Sequence, residues 1–430
     1  MERLLVLVKK ALPSSWLKFL RPPYHYLLSF LAALLYGFPS RRMLIIGVTG
    51  TTGKTTVVYM IARMLREAGI KTGYTSTAMF GDGEREWLNE RKMTMSGRFF
   101  TQKILRKMLE NGCKAAVVET TSEGIVQFRH RFIDYDLCVF TGIYPEHIQS
   151  HGSFDAYKAA KLELFAHLAR TRVKEFPAGE IFPKTIVANA DDGHYREFID
   201  FPVERKIGVS HPAVEFSEKG VSFVFEGEKI NLSLLGEFNA FNAALAAAVG
   251  RAAGLSVAQI KKGLESIEGI PGRLERLVIS PKVTALVDYA FEPVALEKLY
   301  QTVGVFGADR IIHILGGTGG GRDRDRRPVM GALAAAKADA VIVTNEDPYD
   351  EDPRAIIDEV FAGAVENSRK KEGKDIWRID NRAEAINFGL RKALEMSSAG
   401  EKVLVLITGK GCETSICVRD GEKIPHDDRR

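Results

Sequence analysis

The run Gly47-Val48-Thr49-Gly50-Thr51-Thr52-Gly53-Lys54-Thr55-Thr56 has the residue types needed to hold a nucleoside triphosphate. Glycines let backbone N–H groups approach phosphates, and a following helix adds positive potential at its N-terminus. In such a loop Lys54 reaches the β- and γ-phosphates and the Thr55 hydroxyl ligates Mg²⁺. Gly50, Thr51, Thr52, Gly53 and Thr56 complete the cradle. The strict G-x-x-x-x-G-K-[ST] spacing needs glycine at 48, where valine stands. More chemistry sits where predicted strands end. Glu119 closes the apolar run Ala115–Val118, on the edge where the loop belongs, and a carboxylate there holds Mg²⁺ directly or through water. His147 and His151 follow the next apolar run at the same edge, as candidate ligands of a second metal. Lys158 and Lys161 are i,i+3 neighbours on an amphipathic helix, a spacing that by itself specifies no chemistry.

These groups need strands and helices to position them. The loop follows the apolar run Met43–Ile46 and opens a helix-like segment from Val57 to Ala68. Strand candidates Ala115–Glu119, Leu137–Phe140 and Thr185–Ala188 alternate with helical patterns such as Thr101–Asn111 and Phe154–Ala169. That rhythm predicts an α/β domain with a mainly parallel sheet. The stretch Gly208–Leu235 alternates in short runs broken by Gly and Glu, which suggests a small antiparallel appendage. The Ala-rich helix Asn239–Ala253 follows it. Gly269-Ile270-Pro271-Gly272 is a breaker cluster and marks a boundary. Beyond it, strand candidates Val283–Val287, Ile311–Leu315, Ala340–Val343 and Val403–Ile407 restart the rhythm. The expected organisation is an N-terminal segment 1–42, a central P-loop ATPase domain 43–271 and a Rossmann-like α/β domain 272–430.

The chain of 430 residues has a net charge of +5, unevenly spread. Residues 1–42 hold seven Lys/Arg (Arg3, Lys9, Lys10, Lys18, Arg21, Arg41, Arg42) and the single acid Glu2, a net of +6, which leaves about −1 for the remainder. No nucleic-acid face is therefore implied for the body. The four cysteines, Cys113, Cys138, Cys412 and Cys417, form no C-x-x-C pair and read as free thiols in a reducing compartment. Tyr24–Phe38 is almost continuously apolar but shorter than the roughly 20 residues that span a bilayer. No small-residue cleavage site follows it, which argues against a signal peptide. Two readings stand side by side: a helix packed on the body, or a helix lying on an anionic membrane surface.

Ten motifs in order, from about residue 43 to 428, give the chain a resemblance to the Mur ligase family, ATP-dependent amide-forming enzymes of cell-wall peptide synthesis. It is most similar to the MurE-like branch that adds the third peptide residue. Gly50–Thr56 resembles the family's G-T-x-G-K-T-T. Glu119–Gly124 resembles E-x-S-S-H-G, and His147 and His151 match the histidines of D-H-x-x-x-H-G, with Glu146 in the acidic place. Lys161 falls on the lysine that the family carbamylates. Asn189–Asp192 matches N-A-D-D, Gly236, Asn239 and Asn242 match G-x-x-N-x-x-N, and Gly272–Glu275 matches G-R-[ML]-E. Asp288-Tyr289-Ala290, the run Arg322–Pro328 and Gly409–Glu413 match D-Y-A, D-R-D-x-x-K-R-P and G-K-G-x-E.

The resemblance implies transfer of the γ-phosphate of ATP to a carboxylate, followed by attack of an amine on the acyl phosphate. By the same likeness Lys54, Glu119, His151 and Lys161 are catalytic. Thr55 and Glu119 hold a first Mg²⁺; His151 and a carbamylated Lys161 hold a second. Asn239, Asn242, Arg273 and Asp288 bind the nucleotide. Thr94, Ser96, Gln127 and Arg129 face the acceptor, and Asp347, Lys410 and Glu413 face the incoming amino acid. The implied partners are a muramyl-peptide or lipid-linked acceptor and a free amino acid, with no nucleic acid. A monomer is expected, cytoplasmic and in peripheral contact with the inner membrane face through residues 1–42. Four departures matter. The segment 1–42 stands where the family has a uridine-nucleotide-binding domain. The family's S-S-H-G is Thr121-Ser122-Glu123-Gly124, and its D-Y-A-H is Asp288-Tyr289-Ala290-Phe291. Its D-N-P-R, tied to diaminopimelate, is Glu346-Asp347-Pro348-Tyr349. Loss of that arginine removes the fork that would grip a second carboxylate, which favours lysine or another amino acid. Alternatives are a ligase for folate, poly-γ-glutamate or a lipid-linked precursor, and a membrane-associated ATP-binding partner subunit.

Overall fold

The structure is a computed structural model that describes residues 14–146, 148–176, 181–321, 324–366 and 368–430. Of the residues singled out from the sequence, His147, Arg322 and Asp323 lie outside the described residues, as do residues 1–13.

The chain is a mixed α/β protein built on two large sheets. The first has eight strands, in the order Arg205–Val209, Thr185–Asn189, Leu137–Phe140, Leu44–Thr49, Ala115–Glu119, Thr72–Thr75, Met79–Gly81, Glu86–Leu88. The pairs from Arg205–Val209 through Thr72–Thr75 are parallel; the last two strands form an antiparallel hairpin. A parallel sheet is covered on both faces, so its central strands must be apolar throughout. Ile45, Ile46, Val48, Val117 and Val139 are accordingly inaccessible to solvent. Helices Lys54–Glu67 and Glu237–Ala252 cover one face, and Arg98–Glu110 and Phe154–Arg170 the other. In register, Val48 lies beside both Glu119 and Val139. The segments leaving these three strands therefore emerge at one edge, where ligands of open α/β sheets bind.

The second sheet runs Glu275–Ser280, Val283–Asp288, Val403–Thr408, Arg310–Leu315, Ala340–Thr344, Ile376–Ile379. All its pairs are parallel except the first. Asp288 lies beside Thr408, so the segments beginning at Tyr289 and Gly409 share an edge.

The antiparallel appendage is smaller than its sequence suggests: Val214–Ser217, Gly220–Phe225 and Glu228–Leu232. Gly208 and Val209 belong instead to a parallel edge strand of the large sheet, held by backbone pairing to Thr185–Asn189. The helix after the phosphate loop starts at Lys54 rather than Val57, directly after Gly53 at φ +80°. Strands such as Thr72–Thr75 have too little apolar sequence to stand out; pairing with neighbours defines them.

The N-terminal apolar run lies in helix Ser14–Leu35, which contains Pro22 and Pro23. Among the described residues no helix is long and apolar enough to cross a membrane. Ser29, Ala32 and Ala33 are buried against the body, and the Tyr26 and Phe30 rings lie 5.1 and 5.4 Å from Phe132. The helix is thus packed along one face, while Tyr24, Leu27, Leu31, Leu34 and Leu35 remain exposed on another.

The C-terminal tail is tied down by one ion pair with no solvent exposure. Arg382 donates to both oxygens of Asp428, at 2.7 and 2.6 Å, and to the carbonyl of Thr408 at 2.7 Å. Burial opposes the charged Asp428, but Arg382 outweighs it and holds the carboxyl at about 2. Arg382→Ala strips the buried Asp428 carboxylate of its guanidinium fork, leaving His426 Nε2 at 2.7 Å as its partner, and is expected to destabilise the fold by about 3 kcal/mol, read as a drop in urea midpoint. Because the folded pKa is depressed, the pair's contribution is present above the ordinary carboxylate range and fades as pH falls towards 2. A midpoint unchanged by the substitution would show that the pair contributes nothing.

Candidate active site

The phosphate loop is shaped by close approach. Gly50 has φ +152°, and a Cβ there would meet Thr141 Oγ1 at 1.9 Å. A Cβ on Gly53 would meet Asn242 Oδ1 at 2.5 Å. The loop is pinned from outside: Thr51 N–H donates to Gly142 O at 2.8 Å, and Thr141 Oγ1 donates to Thr52 O at 2.6 Å. Asn242 in turn donates to Asn239 Oδ1 at 3.0 Å, and Asn239 to Leu235 O at 2.6 Å. The two asparagines thus lie directly behind the loop, on the buried start of helix Glu237–Ala252. Thr56 is buried in the first turn of helix Lys54–Glu67.

Lys54 and Thr55 divide two tasks. Lys54 Nζ donates to Thr51 O at 2.7 Å. Burial lowers its pKa and the Arg273 charge adds to that, while Glu119 and Glu146 pull the other way. Thr55 Oγ1 donates to Glu119 Oε2 at 2.9 Å. The backbone N–H and hydroxyl of Thr77 also reach Glu119, at 2.8 and 3.0 Å. A hydroxyl and a carboxylate converging beside a phosphate loop are hard oxygen donors of the kind Mg²⁺ takes, with phosphate oxygens and water completing the shell. Among the described residues no three His, Cys, Asp or Glu side chains are grouped so as to hold a metal ion.

The second proposed metal pair is arranged around Tyr157. His151 Nε2 is 3.1 Å from Ser122 Oγ, and its ring centroid is 5.3 Å from that of Tyr157. Lys161 Nζ lies 4.5 Å from the Tyr157 ring centroid and donates to Gly50 O at 2.6 Å. Lys161 is fully buried; burial, then the Lys54 charge, pull its pKa well below the ordinary lysine value. Protonated, Lys161 offers a metal no lone pair; as a carbamate it would offer oxygen donors. Glu146 faces this space. Burial first and Glu292 second raise its carboxyl to about 7, against the pull of Lys54, Arg326 and Lys161.

The second sheet reaches over the loop. Arg273 Nη2 is 3.4 Å from Thr55 Oγ1, and its guanidinium stacks 4.6 Å from the Tyr289 ring. Asp288 does not touch the loop. It accepts from the N–H groups of Leu274 and Ala290 at 2.7 and 2.8 Å, and so fixes the turn that carries Arg273.

The four residues assigned to the acceptor also gather. Thr94 Oγ1 lies 2.8 Å from Thr77 Oγ1, one step from Glu119. Arg129 donates to Gln127 Oε1 at 2.7 Å and to the carbonyl of Met95, between Thr94 and Ser96. Ser96 Oγ is buried with no hydrogen-bond partner. On the far side, Lys410 Nζ donates to Asp347 at 2.8 Å and to Glu413 at 2.5 Å. Cys417 N–H also donates to Asp347, at 2.6 Å.

Three site residues carried no sequence signal. Thr77 holds Glu119. Tyr157 sits under Lys161 and contacts Thr51 Oγ1 at 3.1 Å. Lys92, from the loop after the hairpin, crosses to the second sheet and pairs with Asp347 at 2.8 Å and Glu413 at 3.1 Å. Its φ of +52° is the one local oddity, and it is visible only in three dimensions.

Comparison with known proteins bears on the family and the fold. The Mur ligase middle domain matches residues 48–250, and the Mur ligase, glutamate ligase domain matches residues 272–411. The chain is 38% identical over 402 residues to the UDP-N-acetylmuramyl-tripeptide synthetase of Roseiflexus sp. (strain RS-1), covering 90% of this chain and 77% of that protein. It is 32% identical over 410 residues to the UDP-N-acetylmuramoyl-L-alanyl-D-glutamate–2,6-diaminopimelate ligase of Halalkalibacterium halodurans, covering 93% and 79%. A solved structure of a ligase of the latter name superposes with a TM-score of 0.59 at 27% identity, over 90% of this chain and 77% of that one. Mycobacterium tuberculosis folylpolyglutamate synthase complexed with ADP gives 0.67 at 20% identity, over 88% and 90%, a likeness of fold alone.

Proposed function

Since the chain belongs to the Mur ligase family of ATP-dependent, amide-bond-forming ligases, we propose that it adds an amino acid to a muramyl-peptide acceptor through an acyl phosphate. The observation that carries this reading is the Thr55–Glu119 bond at the phosphate loop, with Arg273 reaching the same hydroxyl from the second sheet. An acceptor carboxylate oxygen attacks the γ-phosphorus, and the bond to ADP breaks. The amine nitrogen then attacks the acyl carbon, inorganic phosphate leaves and the nitrogen gives up a proton. Two anions must meet in the first step. Lys54 and Arg273 place positive charge there, and the buried surroundings keep water from screening it. Thr55 with Glu119, and His151 with a carbamylated Lys161, would hold two Mg²⁺ ions, which when bound supply further positive charge to the phosphates. Asn239 and Asn242 brace the loop, and Asp288 sets the Arg273 turn.

The acceptor lies along Thr94, Ser96, Gln127 and Arg129, and the incoming amino acid along Asp347, Lys410 and Glu413. Tyr349 stands where an arginine fork would hold the second carboxylate of diaminopimelate. The Asp347–Glu413 pair already accepts two ammonium groups, from Lys92 and Lys410. Those two carboxylates and two ammonium groups balance, so the preference for lysine over diaminopimelate rests on the missing arginine fork. The protein acts as a cytoplasmic monomer with residues 1–42 in peripheral contact with the membrane.

The test is phosphate release with ATP, Mg²⁺ and a UDP-muramyl dipeptide, one amino acid at a time. Lysine is expected to stimulate release at least about tenfold more than diaminopimelate, the size of one lost bidentate contact. Absence of amino-acid-dependent release with every muramyl dipeptide, soluble or lipid-linked, would sink the proposal.

A further inference from the structure

The N-terminal helix has two faces with different roles. Ser29, Ala32 and Ala33 point into the body. Tyr24, Leu27, Leu31, Leu34 and Leu35 follow the i, i+3, i+7, i+10, i+11 spacing of one helical stripe. Their exposures are 42, 54, 41, 54 and 68%. Large apolar side chains left this open in a row mark a contact surface. Basic residues border the stripe: Arg21 at one end and Arg41 and Arg42 just beyond the other, all exposed. The whole 1–42 segment has seven Lys/Arg against one acid, while the rest of the chain is near neutral. An apolar stripe with cationic ends, too short to span, complements an anionic bilayer surface.

The helix is also joined to the acceptor cluster. Ser29 Oγ donates to Phe128 O at 2.9 Å, and Phe128 lies between Gln127 and Arg129 at φ +58°. Arg98 donates to Gln127 O at 3.2 Å and lies 2.8 Å from His25 Nδ1 of the helix. Whatever surface the helix rests on, the acceptor loop rests beside it.

We propose that the exposed stripe of this helix docks on an anionic membrane surface and holds the Gln127–Arg129 loop there to take a lipid-linked acceptor. This rests on the muramyl-peptide reading of the acceptor. No residue of the stripe belongs to the catalytic or nucleotide machinery.

The experiment is co-flotation of the full chain with phosphatidylglycerol or phosphatidylcholine vesicles. Two variants accompany it: Leu27→Glu/Leu31→Glu/Leu34→Glu, and Arg21→Glu/Arg42→Glu. Wild type is expected to bind phosphatidylglycerol vesicles at least about tenfold more tightly than phosphatidylcholine, and less tightly at high salt. Both variants are expected to lose at least about tenfold of that binding and to keep their phosphate release with a water-soluble acceptor. Their KM for a lipid-linked acceptor in vesicles is expected to rise by a similar factor. Wild type that ignores anionic vesicles, or variants that bind them equally, overturn the proposal. So does a wild-type dimer that the leucine variant splits into monomers, since a second copy then covers the stripe. Failure of the ligase reading is separate: it shows as no turnover with the soluble acceptor, whatever the vesicles do.

Discussion

Lys54→Ala should lower amino-acid-dependent ADP formation by about 10³-fold, roughly 4 kcal/mol of transition-state stabilisation. The expectation follows from position and charge. Lys54 opens the helix behind the phosphate loop and donates to the Thr51 carbonyl of the same loop. Glu119 and Glu146 lie close enough to act on its charge. Removing the ammonium leaves those carboxylates facing the γ-phosphate with less to offset them, so the penalty falls on the phosphoryl step. Nucleotide binding should weaken less than kcat, because backbone N–H groups and the helix N-terminus still hold the phosphates. Lys54→Arg should not restore the rate, since a planar guanidinium is larger and the loop is already crowded by Asn242 against Gly53. The measurement is steady-state kinetics beside a thermal melt. A variant that melts normally and turns over normally would refute the assignment of this loop.

Lys161→Ala should cost about 10²–10³-fold in kcat, the effect of losing one preorganised electrostatic group. The structure adds a chemical reason for carbamylation. A carbamate forms only from the neutral amine, and burial with the neighbouring Lys54 charge pulls the Lys161 pKa well down. The sign is then clear: lowering the amine pKa enlarges the neutral fraction at neutral pH, so CO₂ can add there when it cannot at a surface lysine. Activity should therefore fall when CO₂ and bicarbonate are removed and return when bicarbonate is restored. With ¹³C-bicarbonate, wild type should show a carbamate carbon signal that Lys161→Ala lacks. Formate or acetate should partly rescue Lys161→Ala by placing a carboxylate in the vacated space. Full activity in CO₂-free buffer would overturn the carbamate.

Some of this was legible because it is local. The loop Gly50–Thr56 needs only its own residues and the strand before it to be recognised. Glu119 was findable because a carboxylate ending an apolar strand is chemically out of place, and sheet register then puts it beside Val48. Arg273 and Asp288 came through resemblance, and the structure separates them: Arg273 reaches Thr55, whereas Asp288 braces the turn behind it. Thr77, Tyr157 and Lys92 were not findable, since each acts through a partner distant in sequence. Lys92 meets Asp347 across 255 positions, and Thr77 meets Glu119 across 42. No spacing rule spans such gaps.

The N-terminal segment shows the division of labour best. Its sequence determined that it is apolar, cationic and too short to span a bilayer, because composition and length are additive along the chain. It left two readings open, packed or surface-bound. Tertiary packing decided that one face is covered and the other left exposed, because a helix presents different residues to different sides and the neighbouring body, through Phe128 and Phe132, settles which side is covered. The site divides in the same way. Residue types and spacing determined phosphate chemistry, while the convergence of Glu119, Lys161, Arg273 and Lys92 depends on parallel strands ending together and on the second sheet closing over the first.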